Sequence, residues 1–322
     1  MGYTTDMAGR RVAVLGGTGF VGRHVCAALT AAGAEVTTVS RTEPADPDGE
    51  PPGRWAGMDL AGAPSERIAA LLADLDAAVV VNCAGAVWRP TPEQLRSGNV
   101  DLVVRLMAAL GRLDRPPRLV QLGSVHEYGA GAEHGPTPED HPTAPVTDYG
   151  LSKLRGSQAV IDAARAGGLD AVVLRAANST GPHLPRGSLL GGIAGRLADF
   201  ARSRPAAGVA MPLSLAPLTV RRDFVDIRDV ADAVVSAAAP AGPPLVGEVV
   251  NVGSGRAVPV RELVDLLIGL SGVPVRVSPV AEGAARRDVE RLELSITKAA
   301  HLWDWRPRRD LKRSLADMLA AA

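Results

Sequence analysis

Val12-Ala13-Val14-Leu15-Gly16-Gly17-Thr18-Gly19-Phe20-Val21-Gly22 is the stretch that decides the fold: four apolar residues run straight into a glycine-rich turn, and a helix-compatible segment follows. An apolar run without alternation suits a strand buried on both faces, as in a parallel sheet. Glycines at 16, 19 and 22, or at 17, 19 and 22, let the backbone turn sharply and let a helix begin close against the strand. The free N–H groups at that helix start, with the positive end of its dipole, attract a pyrophosphate. Gly16, Thr18, Gly19, Phe20, Val21 and Gly22 are therefore the expected phosphate-binding turn for a dinucleotide cofactor.

Outward from the turn, Val-rich runs at 35–40, 77–82, 118–122 and 171–174 alternate with helical stretches at 20–32, 65–72, 100–113 and 149–166. That rhythm predicts an α/β fold, a Rossmann-type doubly wound parallel sheet whose ligand lies at the carboxyl ends of its strands. Gly181-Pro182, Pro185 and Gly191-Gly192 break the rhythm. Residues 1–177 are thus expected to form the cofactor domain and 178–322 mainly a smaller C-terminal substrate-binding lobe. Helices are expected at 227–239, 260–269, 296–302 and 311–319 and a strand at 248–252, with segments of about 220–255 returning to the first domain.

Charge and cysteine usage narrow the function classes. Thirty-five Lys plus Arg balance 35 Asp plus Glu, so no net field draws in nucleic acid or an anionic membrane. No apolar run approaches the roughly 20 residues of a membrane span, and residues 1–10 lack a signal-peptide stretch, so a cytoplasmic location is expected. Cys26 and Cys83 alone cannot build a disulfide framework, and both are expected to be reduced and buried. His126, His134 and His141 near Glu133, Glu139 and Asp140 match no metal-ligand spacing, and no metal is expected.

Residues just after the strands carry the chemistry. The second strand ends Thr38-Val39-Ser40-Arg41, where an acidic residue would hold the ribose 2′-hydroxyl of NAD. Ser40 and Arg41 suit a 2′-phosphate instead, which makes NADP(H) the expected cofactor, while Glu43 is the residue that would serve NAD. Asp59 and Leu60 are placed to meet the adenine, and Asn82-Cys83-Ala84-Gly85 is small where a cofactor crosses the sheet edge, with Ala84 as its wall. Tyr149 and Lys153 stand at i and i+4, on one helix face. Bringing a phenol from its usual value near 10 towards neutrality takes about 4 kcal/mol, which the Lys153 ammonium and a cationic nicotinamide are expected to supply. Ser124 offers a hydroxyl that polarises a carbonyl, and His126, two residues on, is placed to touch the same substrate.

With these features the sequence resembles the extended short-chain dehydrogenase/reductase family, in its nucleotide-sugar branch. The resemblance rests on Gly16 to Gly22, Ser124 with Tyr128-Gly129, Tyr149 to Lys153, and Arg175 with Asn178 and Gly181-Pro182. It extends through Arg221-Arg222-Asp223-Phe224-Val225-Asp226, Asn251-Val252-Gly253-Ser254-Gly255 and Leu302-Trp303-Asp304-Trp305-Arg306-Pro307. It implies that Tyr149 is the acid/base, Lys153 its activator and ribose ligand, and Ser124 the donor to the substrate oxygen. Asn178, Arg222 and Arg287, with Arg286 as a neighbour, would then lie beside the substrate's diphosphate.

The family's 4,6-dehydratases carry an Asp-Glu pair where this chain has Val125-His126-Glu127, and its epimerases usually show an acidic residue where this chain has Ser40-Arg41. The segment Val120 to Gly129 instead resembles reductases of dTDP-4-keto-deoxyhexoses from antibiotic sugar pathways. The resemblance therefore implies NADPH-dependent reduction of the C4 ketone of a dTDP-linked keto-deoxysugar, with nucleotide-sugar epimerisation as one alternative and a non-catalytic NADP(H) sensor as another. It also implies a homodimer built on the helices at 100–113 and 149–166.

Overall fold

The computed structural model describes residues 6–43, 53–88, 90–206, 208–239, 245–279 and 289–322. β1 (Arg11–Leu15) passes through the glycine turn into α1 (Phe20–Ala31), β2 (Glu35–Ser40) and β3 (Arg54–Gly57). Then come α2 (Ser65–Asp74), β4 (Val79–Asn82), α3 (Pro92–Arg96), one π turn over Ser97–Asp101, and α4 (Leu102–Leu110). β5 (Arg118–Ser124), a 3₁₀ turn at Val125–Glu127, α5 (Asp148–Gly167) and β6 (Ala171–Ala176) complete the first run. The second run is β7 (Asn178–Thr180), α6 (Leu189–Arg202), β8 (Met211–Leu215), β9 (Arg221–Asp226), α7 (Ile227–Ala238) and β10 (Glu248–Val252). It ends with β11 (Ala257–Pro259), α8 (Val260–Ser271), β12 (Val275–Pro279), β13 (Arg291–Leu292), α9 (Thr297–Trp303) and α10 (Leu311–Ala320).

Among the described residues seven strands form one parallel sheet in the order β10-β6-β5-β4-β1-β2-β3. The chain order reverses between β1 and β4, where Leu15 pairs with Asn82. In a doubly wound sheet that reversal opens a crevice at the strands' carboxyl ends. Successive residues of each central strand feed opposite cores, as a period of two requires. Val12, Val14, Val79, Val81, Leu122 and Leu174 face one apolar layer together with Val25 and Leu29 of α1 and Val230 and Val234 of α7. Ala13, Leu15, Val80, Leu119 and Val173 face the other, against Ile68, Leu106, Leu110 and Val160 of α2, α4 and α5. With both faces covered, nearly every central strand residue is apolar, which is why the runs show no alternation.

The smaller lobe has its own core of Leu190, Ile193, Leu197, Met211, Leu213, Leu263, Leu267 and Leu315. β8 pairs with β12, and β9 is flanked by β11 and β13 along its first residues and pairs with β7 along Phe224, Val225 and Asp226. β10 joins the large sheet beside β6, but β9 and β11 stay in the small lobe. The chain's tail crosses back: Leu292, Leu294, Ala299, Trp303 and Trp305 enter the core under β10 and α7. Val104 on α4 and Leu151 on α5 stand exposed, on the two helices expected to meet a second copy. Among the described residues no helix is long and apolar enough to cross a membrane.

Candidate active site

The glycine turn resolves the two readings of its spacing. Gly16 has φ +73°, a left-handed conformation that favours glycine, and a Cβ there would lie 2.8 Å from the Ala84 backbone. A Cβ on Gly22 would lie 2.2 Å from the Gly16 carbonyl oxygen, so α1 packs on the turn only because that side chain is missing. Gly17 is also confined, but by the side chains of Thr38 and Cys26. α1 begins at Gly19 with no side-chain cap, and among the described residues the N–H groups of Phe20 and Val21 find no protein acceptor. A bare turn and an uncapped helix start, both at the sheet's switch point, fit the diphosphate of a dinucleotide.

The other expected cofactor residues lie at the ends of β2 and β4 and just after β3. Arg41 is exposed just past the end of β2. The Ser40 hydroxyl donates to the Thr42 carbonyl at 2.8 Å and accepts from the Trp55 indole at 3.0 Å, so its one proton is already used. Asp59 is exposed and Leu60 buried, and Asp59 also opens the turn into α2 by accepting from the N–H groups of Gly62 and Ala63. The Asn82 side chain accepts from the Ala84 N–H at 3.1 Å, which fixes the strand end beside Gly16. Cys83 is half-buried rather than buried as expected, and burial pushes its thiol up, away from any nucleophilic use.

The structure brings Ser124 and Tyr149 together. Ser124 closes β5, two residues beyond the expected strand end, and its hydroxyl accepts the His126 N–H at 3.3 Å. Thr147 caps α5 by accepting the Gly150 N–H at 3.0 Å, which starts that helix just before Tyr149. The Ser124 side chain lies beside the phenol and favours its charged form, and the His126 ring meets the Tyr149 ring edge-on at 5.9 Å between centroids. Lys153 is buried one turn further along α5, and its ammonium donates to the Leu122 carbonyl at 2.5 Å.

In the chain by itself, without the cationic nicotinamide that the sequence reading pairs with Lys153, burial governs both groups. Burial pushes Tyr149 up to about 12; the Ser124 side chain opposes the rise and the Glu127 charge adds to it. Burial pulls Lys153 down, against the nearby Glu127 charge. At neutral pH the phenol is therefore protonated.

Two residues of the site had little signal in the sequence. Asn99 sits in the π turn before α4: its amide accepts the Ala86 N–H at 2.8 Å and donates to the Ala86 carbonyl and to Ser152, each at 2.9 Å. It ties the loop after β4 to α5, and nothing in the polar stretch around it singled it out in the sequence. Glu127, noticed in the sequence as a lone carboxylate, is fully buried and paired with Arg175 at 2.7 Å. Both of its carboxylate oxygens are already occupied by hydrogen bonds from the protein.

The expected substrate residues lie in the small lobe or at its border. The Asn178 amide donates to the Asp223 carbonyl at 3.1 Å. The Arg222 guanidinium is buried and donates to the carbonyls of Arg221 at 2.8 Å and Val289 at 2.6 Å. Asp223 holds the loop after β10 through Ser254 and Gly255, so the Arg221–Asp226 and Asn251–Gly255 motifs act on each other. Arg286 and Arg287 lie outside the described residues. Among the described residues no three His, Cys, Asp or Glu side chains are grouped to hold a metal ion.

Comparison with known proteins places this architecture. The NAD dependent epimerase/dehydratase family pattern matches residues 12–253. The chain is 44% identical over 312 residues, 97% of its length and 95% of the relative's, to a dTDP-6-deoxy-L-talose 4-dehydrogenase (NAD(P)(+)) from Kitasatospora kifunensis. It is 30% identical over 320 residues, 94% of its length and 89% of the relative's, to a UDP-glucose 4-epimerase from Azospirillum brasilense. The crystal structure of UDP-glucose 4-epimerase from Thermotoga maritima superposes with a TM-score of 0.79 at 23% identity, covering 96% of this chain and 97% of that one; this likeness speaks to the fold alone.

Proposed function

The chain belongs to the NAD dependent epimerase/dehydratase family, and from that membership we propose that it reduces the C4 ketone of a dTDP-linked keto-deoxysugar with NADPH. The observation that carries the reading is the Ser124–Tyr149 hydroxyl pair at the carboxyl end of β5, with the phenol held protonated. A ketone becoming an alkoxide needs a hydrogen-bond donor and a proton at its oxygen, and these two hydroxyls provide them. Bound NADPH supplies the hydride. Tyr149 gives its proton to the C4 oxygen, Ser124 donates a hydrogen bond to the same oxygen, and the Lys153 ammonium one turn away offsets the charge left on the phenol.

The relative that shares 44% of its residues with this chain is named for oxidation at C4 of a dTDP-6-deoxysugar, and the reverse of that reaction is reduction of a C4 ketone. The absence of an accessible acid–base pair at Val125–Glu127 argues against dehydration. Epimerisation is the second reading, favoured by the 30% identity to a UDP-glucose 4-epimerase, and it differs in consuming no cofactor. The reaction is tested by following NADPH oxidation on addition of a dTDP-4-keto-6-deoxyhexose; sugar interconversion without net oxidation would replace reduction by epimerisation.

Arg41 supports NADP over NAD, because it is the cation that follows β2 and is exposed at the adenosine end of the crevice. A charge-assisted contact to a 2′-phosphate contributes about 1.5–3 kcal/mol, or roughly ten- to a hundredfold. Arg41→Asp is expected to lower kcat/KM for NADPH by at least about tenfold relative to NADH. An unchanged NADPH/NADH ratio in that variant would remove Arg41 from the phosphate.

A further inference from the structure

We propose that Glu127, held by Arg175, is a positioning residue that locks the end of β5 to α5 from beneath the site, so that the Ser124 and Tyr149 hydroxyls meet one substrate oxygen. One carboxylate oxygen of Glu127 accepts two hydrogen bonds, from the Ser124 N–H at 2.8 Å and from the Ser157 hydroxyl at 2.9 Å. Ser124 is the reacting strand end, and Ser157 lies one helical turn beyond Lys153. The other oxygen accepts from the Arg175 guanidinium at 2.7 Å, reaching in from β6. The guanidinium in turn lies 4.5 Å over the Tyr128 ring, whose hydroxyl donates to Asn251 at 2.8 Å. Gly123 is what leaves the room: a Cβ there would come within 2.8 Å of the Glu127 carboxylate and 2.9 Å of Val173.

Stability alone does not account for this arrangement. Glu127 is 0% and Arg175 4% exposed, and a buried ion pair generally contributes no more than well-packed apolar side chains would. What apolar residues cannot do is hold a backbone N–H and a helix hydroxyl on a single atom. Reactions at an oriented carbonyl lose about a hundredfold for displacements near 1 Å, so fixing these two groups bears directly on turnover. The charge also reaches the phenol: Glu127 acts on both Tyr149 and Lys153, Arg175 is paired with that same carboxylate, and the His126 ring meets Tyr149 from the 3₁₀ turn.

The proposal rests on Ser124 and Tyr149 acting on a sugar carbonyl, and its test separates the two claims. Glu127→Gln keeps the shape but loses the charge and the Arg175 pairing. It is expected to lower kcat by about tenfold or more with the KM for NADPH unchanged, and to move the alkaline limb of the rate down by about one pH unit. Arg175→Gln is expected to move the limb the opposite way. Ser157→Ala, which removes one hydrogen bond and no charge, is expected to lower kcat a few-fold and leave the limb in place. Wild-type kcat and an unmoved limb in Glu127→Gln would overturn the proposal; if that variant does not fold, wild-type behaviour of both Arg175→Gln and Ser157→Ala would do so. A wild-type chain that turns over no nucleotide sugar defeats the functional reading only. The phenolate absorbance titration of Tyr149 in the presence of NADP⁺, taken as the difference from Tyr149→Phe, then decides for Glu127: a downward move in Glu127→Gln upholds the proposal and a fixed value overturns it.

Discussion

Tyr149→Phe is expected to cut turnover of a 4-keto sugar nucleotide by about a thousandfold, within the range for losing a general acid, while NADPH still binds. The substitution deletes one oxygen and leaves a ring that still fits edge-on against His126. Among the described residues the lost hydroxyl is the one phenol beside Ser124, and its contact with Ser124 disappears with it. Ser124 remains to polarise the carbonyl, so a residual rate above the uncatalysed one is expected. The wild-type pH dependence follows from the sign of the shift. With Tyr149 pushed up to about 12, the donor form is present throughout the neutral range and is lost only as pH rises. Reduction should therefore show no Tyr149-dependent loss on the acid side. Near-normal turnover in Tyr149→Phe, measured as NADPH oxidation, would remove the phenol from the reaction.

Gly22→Ala is expected to weaken NADP(H) binding by at least about tenfold and to lower Tm by several degrees. The added methyl would sit 2.2 Å from the Gly16 carbonyl oxygen and 2.6 Å from the Gly17 Cα, and both are backbone atoms that cannot swing aside. Relief comes only by pushing α1 away from β1, which displaces the Phe20 and Val21 N–H groups from the diphosphate position. Overpacking of this kind costs typically 1–3 kcal/mol in stability, and a domain of this class loses roughly 2–4 °C for each kcal/mol. Gly17→Ala is the control: its methyl would meet the Thr38 and Cys26 side chains at 2.8 and 3.0 Å, which can yield by small rotations. Equal cofactor affinity in Gly22→Ala and wild type, by titration of NADPH fluorescence, would contradict the assignment of the turn.

These two variants separate binding from chemistry, and they also show how far the sequence could be read. The glycine turn was legible because strand, turn and helix are contiguous and each glycine has a local steric reason. Ser124, Tyr149 and Lys153 were legible as residue types placed just after strands and on one helix face. What Lys153 does was not, because its partner is the Leu122 carbonyl, a backbone atom of another strand. Glu127 was visible as a carboxylate, but its role depends on Ser157 and Arg175, which lie 30 and 48 residues away in the chain. No local pattern encodes such contacts.

The misread elements have equally physical causes. Gly191-Gly192 looked like a break, yet it lies inside α6. A Cβ on Gly191 would come within 2.3 Å of the Pro185 carbonyl, so glycine serves the close approach of the preceding loop rather than a turn. The helix expected at 100–113 opens instead with a π turn, because Asn99 spends its amide on Ala86 and Ser152.

The most direct test of the account is the fate of the hydride. NADPH carrying deuterium at nicotinamide C4 is mixed with the chain and a dTDP-4-keto-6-deoxyhexose, and the product sugar is analysed by NMR and mass spectrometry. The account predicts one deuterium at C4 of the product for each transferable deuterium consumed, with stoichiometric NADP⁺. An unlabelled product, or exchange between C4 epimers with the cofactor pool unchanged, would contradict it.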